Sequence, residues 1–187
     1  MCSRITTIVF ILVASSVLCN GQRTMSEQPF VSIEGFYNGS LAGGDITVGR
    51  YTINAFWFGS LSLSPHSVEL GLNDGNVLGK TLYLQSLVYG GYQYRAISSR
   101  KRNANLYLGG AVFAGLETFD PLSQLPENID TGFSKNSFIY GLAPLLSFEF
   151  FVSKTVSLTI SGKIPVNFSS RISVWHYNIG TGIKIML

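Results

Sequence analysis

Hydrophobic residues recur at every second position along much of this chain, the two-residue period of a β-strand with one apolar face. In 104–117, Leu106, Leu108, Gly110, Val112, Ala114 and Leu116 share one face, and Asn105, Tyr107, Gly109, Ala111, Phe113, Gly115 and Glu117 share the other. In 138–151 the apolar face is Phe138, Tyr140, Leu142, Pro144, Leu146, Phe148 and Phe150, with aromatics at both ends and aliphatics between. From Trp175 to Leu187 the alternation sets Trp175, Tyr177, Ile179, Thr181, Ile183, Ile185 and Leu187 against His176, Asn178, Gly180, Gly182 and Lys184. Such segments suit strands with one side toward lipid and the other toward a polar interior.

Turn signals divide the chain into eight predicted strands, near 30–37, 50–60, 66–73, 81–95, 104–117, 138–151, 154–163 and 174–187. Several reach the roughly 9–11 residues that a tilted strand needs to cross a bilayer. With the N-terminus in the periplasm, the outer connections are 38–49, 74–80, 118–137 and 164–173. The inner ones are 61–65, 96–103 and 152–153. Long outer loops with short inner turns are typical of outer-membrane barrels, and Asn73-Asp74-Gly75-Asn76 supplies strong turn chemistry. The expected fold is all-β, an antiparallel eight-stranded outer-membrane β-barrel. Tyr92 and Tyr94 would join its lower aromatic girdle, Trp175 and Tyr177 its upper one. A soluble β-sandwich also alternates, but it turns a more highly charged face to water.

Composition sharpens this picture. Only 12% of residues are charged and the mean hydropathy is +0.29. Yet the most apolar later stretch, Phe138 to Val152, is interrupted by Pro144, Ser147 and Glu149. A hydrophobic chain without spanning helices must bury its apolar surface in a soluble core or present it to lipid as a barrel. Residues 1–21 read as a signal peptide, with Arg4, an apolar stretch centred on Ile8 to Ala14, and a cut after Gly21. The barrel domain would then be 22–187. Cys2 and Cys19 both fall in or at the edge of the leader, so no disulfide framework is expected. Lipidation of Cys19 is the lesser alternative, because Leu18 occupies a position that normally takes a small residue. A net charge of +3 is too small to argue for nucleic-acid binding.

The charged residues within strands sort by side. Glu69, Glu117 and Glu149, with Arg95, Lys163 and Lys184, fall on predicted inner faces, and Glu34 joins them. An eight-stranded barrel is just wide enough to be filled by its own side chains, and buried charges must pair or meet water. The expectation is a salt-bridged, largely plugged lumen; a selectivity lining is the alternative. His66 and His176 are the only histidines. Ser67 and Ser173 lie near them, but spacing assembles no set of nucleophile, base and orienting group, so both read as structural. No cysteine–histidine metal pattern and no phosphate-binding glycine motif occurs. No catalytic, cofactor or metal residue is therefore assigned. Arg100, Lys101 and Arg102 form a basic run in a predicted periplasmic turn. They read either as a solvated turn or as a docking point for a periplasmic partner.

Several strings in the second half resemble one known family when taken in order. They begin with Tyr89-Gly90-Gly91-Tyr92-Gln93-Tyr94 and a polar basic turn. Leu106-Tyr107-Leu108-Gly109-Gly110-Ala111-Val112-Phe113-Ala114-Gly115-Leu116-Glu117-Thr118 follows. Phe138-Ile139-Tyr140-Gly141, Phe148-Glu149-Phe150-Phe151 and Gly180-Thr181-Gly182-Ile183-Lys184-Ile185 complete the set. From about Leu87 to Leu187 the chain resembles the conjugative-transposon TraO proteins. The resemblance implies a non-catalytic accessory protein of a conjugative DNA-transfer apparatus in the outer membrane, with the lipid bilayer and other envelope proteins as partners. The alternatives are a general small barrel for binding or adhesion and, less favoured, a lipid-modifying envelope enzyme.

Overall fold

The computed structural model describes residues 27–71, 77–100, 103–119, 136–170 and 175–187, without the side chains of 68–71, 77–81 and 119. The leader 1–21, most of the 118–137 connection, Lys101, Arg102 and the Glu69 side chain lie outside the described residues. Among the described residues nine strands run in order: β1 Pro29–Tyr37, β2 Ala42–Tyr51, β3 Ala55–Gly71, β4 Val77–Ser98, β5 Ala104–Phe119, β6 Asn136–Phe151, β7 Val156–Lys163, β8 Val166–Asn167 and β9 Asn178–Met186. Every pairing is antiparallel. Each strand from β1 to β6 pairs with the next, β7 pairs with β9, and β9 returns to β1. The two-residue β8 resumes the line of β7 beyond Pro165 and pairs with β6. The result is a closed, eight-stranded antiparallel barrel. Closure removes the free edges that would leave backbone groups unpaired in lipid.

The strand count holds, but two boundaries move. Residues 55–60 of the second predicted strand and 66–71 of the third belong to one continuous strand, β3, which runs through the predicted turn 61–65, and most of the predicted loop 38–49 is β2, which ends at Tyr51. The physical reason lies in what faces inward. Ser60, Ser62 and Ser64 alternate with exposed Leu61 and Leu63, so a polar-looking stretch is regular strand with hydroxyls in the lumen. In β2, Gly43 and Gly49 mimic a loop. Each instead stands beneath an inward aromatic ring: a Cβ at Gly49 would strike Phe30, and one at Gly43 would strike Phe36. Glycine is needed there for close approach, not for flexibility.

Side chains sort as the alternation predicts. Ile33, Ile46, Leu61, Val88, Val112, Leu142, Ile160 and Ile183 face outward, exposed in the isolated chain. Aromatics bracket this aliphatic band. Trp57 packs on Tyr92 with ring centroids 4.6 Å apart, and Tyr94 joins them near the end carrying the short turns. Tyr37, Phe138, Tyr140, Phe168, Trp175 and Tyr177 lie toward the other end. Inside, two clusters fill the lumen. Phe30, Tyr51, Phe56, Tyr107, Phe151 and Met186 form one. Leu87, Tyr89, Ala111, Phe113, Ile139 and Ala143 form the other. Edge-on contacts such as Phe56–Tyr107, 5.0 Å between centroids, suit the aromatic quadrupole.

Candidate functional site

The lumen concentrates the chain's buried charge. On β9, Lys184 lies beneath Phe30 and Phe56, its Nζ 4.5 Å and 4.4 Å from their ring centroids. It pairs with Glu149 of β6 at 3.3 Å and donates to the Tyr51 hydroxyl at 3.2 Å. The Tyr51 hydroxyl in turn donates to Glu149 Oε1 at 2.5 Å, and Ser157 Oγ donates to the same oxygen at 2.7 Å. One carboxylate oxygen thus collects an ammonium and two hydroxyls while shielded from water. Such charge-assisted contacts are what make a buried ion pair tolerable.

A second pair crosses from β7 to β2. Lys163 bonds to Asp45 Oδ2, and its Nζ sits 4.9 Å from the Phe36 ring centroid and 4.7 Å from that of Tyr89. Both partners are buried. Asp45 belongs to the segment read from sequence as an outer loop, so the partner of Lys163 was missed. The available signal was the alternation of Ile46 and Val48 with Asp45 and Thr47.

The remaining predicted lumen residues divide. Glu117 is buried as expected, but its partners among the described residues are neutral: Gln85 Nε2 donates at 3.0 Å and Ser170 Oγ at 3.3 Å. Arg95 joins no lumen ion pair among the described residues. Its guanidinium reaches back to the β2–β3 turn, donating to Ile53 O at 3.1 Å and Asn54 Oδ1 at 2.6 Å. β3 begins at Ala55, opposite Tyr94 of β4, so Arg95 stands one residue beyond the β3–β4 ladder at the rim, where its long side chain ties down a turn. Glu34, on β1, accepts from Ser161 Oγ at 2.7 Å. The described lumen therefore holds Glu34, Asp45, Glu117 and Glu149 against Lys163 and Lys184, more acidic than the predicted balance. Of the basic turn, Arg100 is described and exposed.

The two histidines, far apart in sequence, meet near the end opposite the short turns, ring centroids 4.8 Å apart, with Tyr83 stacked on His66. Ser64 Oγ lies 2.9 Å from His66 Nε2 and Asn38 Nδ2 lies 3.4 Å from Nδ1, which has the outline of a hydrolase triad. Its wiring is wrong for one. Asn38 Oδ1 accepts from the backbone N–H of Ser40 at 3.1 Å and of Leu41 at 2.9 Å, which fixes the amide and turns Nδ2 toward the imidazole. Nδ2 carries two hydrogens, and Pro65 O at 2.6 Å and Ser64 Oγ at 3.1 Å both lie nearer to it than the imidazole, so Asn38 is an anchor of its turn between β1 and β2 rather than the orienting group of a triad. His176 lies in the connection before β9. Burial holds its imidazole down to about 4, helped by His66 and Lys163.

Comparison with known proteins adds two findings. Residues 80–187 match the family described as conjugative transposon protein TraO, which spans β5 to β9 and nearly all of β4. The fold is similar to solved outer-membrane barrels. Neisserial surface protein A aligns with a TM-score of 0.54 at 12% identity, over 86% of this chain and 95% of its own. Ail, the attachment invasion locus protein of Yersinia pestis, solved with the heparin analogue sucrose octasulfate, aligns with a TM-score of 0.51 at 13% identity, over 87% and 100%. The N-terminal barrel of Pseudomonas aeruginosa OprF gives 0.50 at 7% identity, over 87% and 98%. At these identities the likeness speaks for the fold alone. No curated protein matches the chain in sequence.

Proposed function

The chain belongs to the conjugative transposon TraO family, and from that membership we propose that it is a non-catalytic outer-membrane component of a conjugative transfer apparatus. In this reading residues 1–21 direct export and are removed, and the barrel inserts with its short turns toward the periplasm. Other envelope proteins of the transfer complex then dock on its loops and turns, including the Arg100–Arg102 run. The observation that carries the reading is the family match over 80–187. The lumen gives it physical support. Two aromatic-rich clusters and two buried ion pairs fill the interior, which leaves the ends of the barrel as the surfaces free to bind. Asn38 spends its amide hydrogens on Pro65 O and Ser64 Oγ rather than on orienting His66, which favours a structural role for the Ser64–His66 contact over lipid hydrolysis.

The experiment is a clean in-frame deletion in a donor cell, scored by transfer frequency to a recipient. Transfer should fall and return when the wild-type chain is supplied in trans. Unchanged transfer would remove the chain from the apparatus. A triple substitution of Arg100, Lys101 and Arg102 to Glu, checked for outer-membrane insertion, separates the docking claim from the broader one.

A further inference from the structure

The wall of the barrel is uneven at its outer end. β2 pairs with β3 only as far as Gly44↔Leu63, and its first residue, Ala42, stands opposite Tyr37 in the aromatic border. β3 runs on past that border to Gly71, paired on its other side with β4. Within a strand the N–H and C=O of one residue point to the same side, and successive residues alternate. At the start of β3, Ala55 O accepts from Thr52 N–H on the β2 side, and Asn54 O accepts from Arg95 N–H on the β4 side. The β3–β4 register stays unbroken as far as Leu70, so the odd-numbered residues of β3 keep facing the β2 side. Pro65 agrees with this parity: it has no N–H to give, and its carbonyl accepts from Asn38 Nδ2 on that side at 2.6 Å. Ser67 and Glu69 follow on the same edge, above the β1–β2 turn. Among the described residues, no backbone group pairs with their edge-facing N–H and C=O.

The other high edge is closed. β8 continues the line of β7 and pairs with Gly141 and Leu142 of β6, and farther out Phe168 N–H donates to Tyr140 O at 2.9 Å and Ser169 Oγ to Phe138 O at 3.1 Å. The chain therefore covers the edge of β6 itself and leaves that of β3 open. An open edge is a template for another strand. Its alternating donors and acceptors are matched by an extended polypeptide, whereas an acyl chain offers neither. It lies beyond the aromatic border, in water, where unpaired backbone is tolerated; within the lipid band the wall is closed. We propose that this edge receives an extended segment of another protein, which takes the line of β2 above the β1–β2 turn and adds a strand to β3 at Ser67 and Glu69. Pro65 sets the lower limit of that pairing, because it offers the incoming strand no donor and its carbonyl is held by Asn38. That the edge faces the outer surface and that the partner belongs to the transfer apparatus both rest on the function proposed above; the open edge does not.

The test places the photo-reactive residue p-benzoylphenylalanine at Ala42, exposed and beside the open edge, in the full chain expressed in donor cells. Irradiation should join the chain to one other protein of the transfer apparatus, identified by mass spectrometry. Ser67→Pro removes the edge N–H without touching the β4 ladder, so the barrel should still insert, as its heat-modifiable gel mobility reports. It should lower both the adduct and the transfer frequency about ten-fold, the scale of one backbone hydrogen bond lost with its partner left unpaired, whereas Ser67→Ala should leave both unchanged. An adduct to a second copy or to residues 120–135 of the same chain, no adduct at all, or an adduct undiminished by Ser67→Pro would overturn the proposal. If deletion of the chain stops transfer while Ser67→Pro transfers at the wild-type level, the edge is refuted and the place in the apparatus stands. Glu69→Pro, next on the same edge, serves if Ser67→Pro does not insert. Failure of both to insert would show that these amides belong to the β4 ladder, which also overturns the proposal.

Discussion

Replacing Lys184 with Met tests the lumen's energetics directly. The substitution keeps an unbranched apolar stem among Phe30, Tyr51 and Phe56 but removes the only cation that Glu149 meets among the described residues. Glu149 is 0% exposed, so its charge cannot turn to water. Breaking a buried pair from one side costs about 3–5 kcal/mol. The Tyr51 and Ser157 hydroxyls remain on Oε1, and hydrogen bonds to a charged group contribute about 1.5–3 kcal/mol each. We therefore expect a loss near the lower bound, about 3 kcal/mol, which is roughly a 100-fold rise in the unfolding constant. Adding Glu149→Gln to Lys184→Met should recover most of it. Gln keeps an acceptor for both hydroxyls, and the double variant carries no buried charge at this site. Urea unfolding in vesicles reads these differences. Trp57 and Trp175, the chain's two tryptophans and both on the outer face, report it by fluorescence. A Lys184→Met loss under about 1 kcal/mol, or a double variant weaker than Lys184→Met, would refute the claim that this pair is desolvated and mutually dependent.

Three further outcomes follow from the same geometry. Gly49→Val should block folding, because a side chain there meets the Phe30 ring and the Trp57 carbonyl, whereas Gly90→Ala, with open space around it, should fold normally; heat-modifiable gel mobility separates the two. Val112→Arg, on the lipid face, should weaken insertion into vesicles by up to about 2–4 kcal/mol, and a fully stable folded variant would contradict the outward assignment. His176 is held neutral in the folded chain, its value lowered from 6.5 to about 4. Because the folded value lies below the unfolded one, its contribution is present above about 6.5 and is lost as pH falls toward about 4. His176→Gln should flatten that part of the stability profile measured by urea unfolding, and an unchanged acid slope would refute it.

The alternation of Leu106 to Glu117 and of Phe138 to Phe150 was legible because a strand wall between lipid and lumen imposes a strict period of two. Glu117, Glu149, Lys163 and Lys184 were placed inward by that period alone, and all four are buried. What failed was local. Gly43 and Gly49 resemble loop residues until Phe36 and Phe30 are seen above them, and the inward serines of β3 resemble a break until both neighbouring strands are in place. Arg95 was placed by face but not by height, since its position at the rim depends on where β3 begins against β4.

By itself, then, the sequence determined a barrel of alternating strands, its lipid-facing band with aromatic borders, and the side to which most charges turn. Those properties depend on period and composition, which are local. Only the closed tertiary structure decided which charges meet. Lys163 is matched with Asp45, Lys184 with Glu149 and Tyr51, and Glu34 with the Ser161 hydroxyl. Closure and register bring β7 toward β2 and β9 toward β6, and neither can be read from the spacing of residues along one strand. Desolvation inside that closed wall then makes each pairing matter, because a buried charge must find its counterpart within reach.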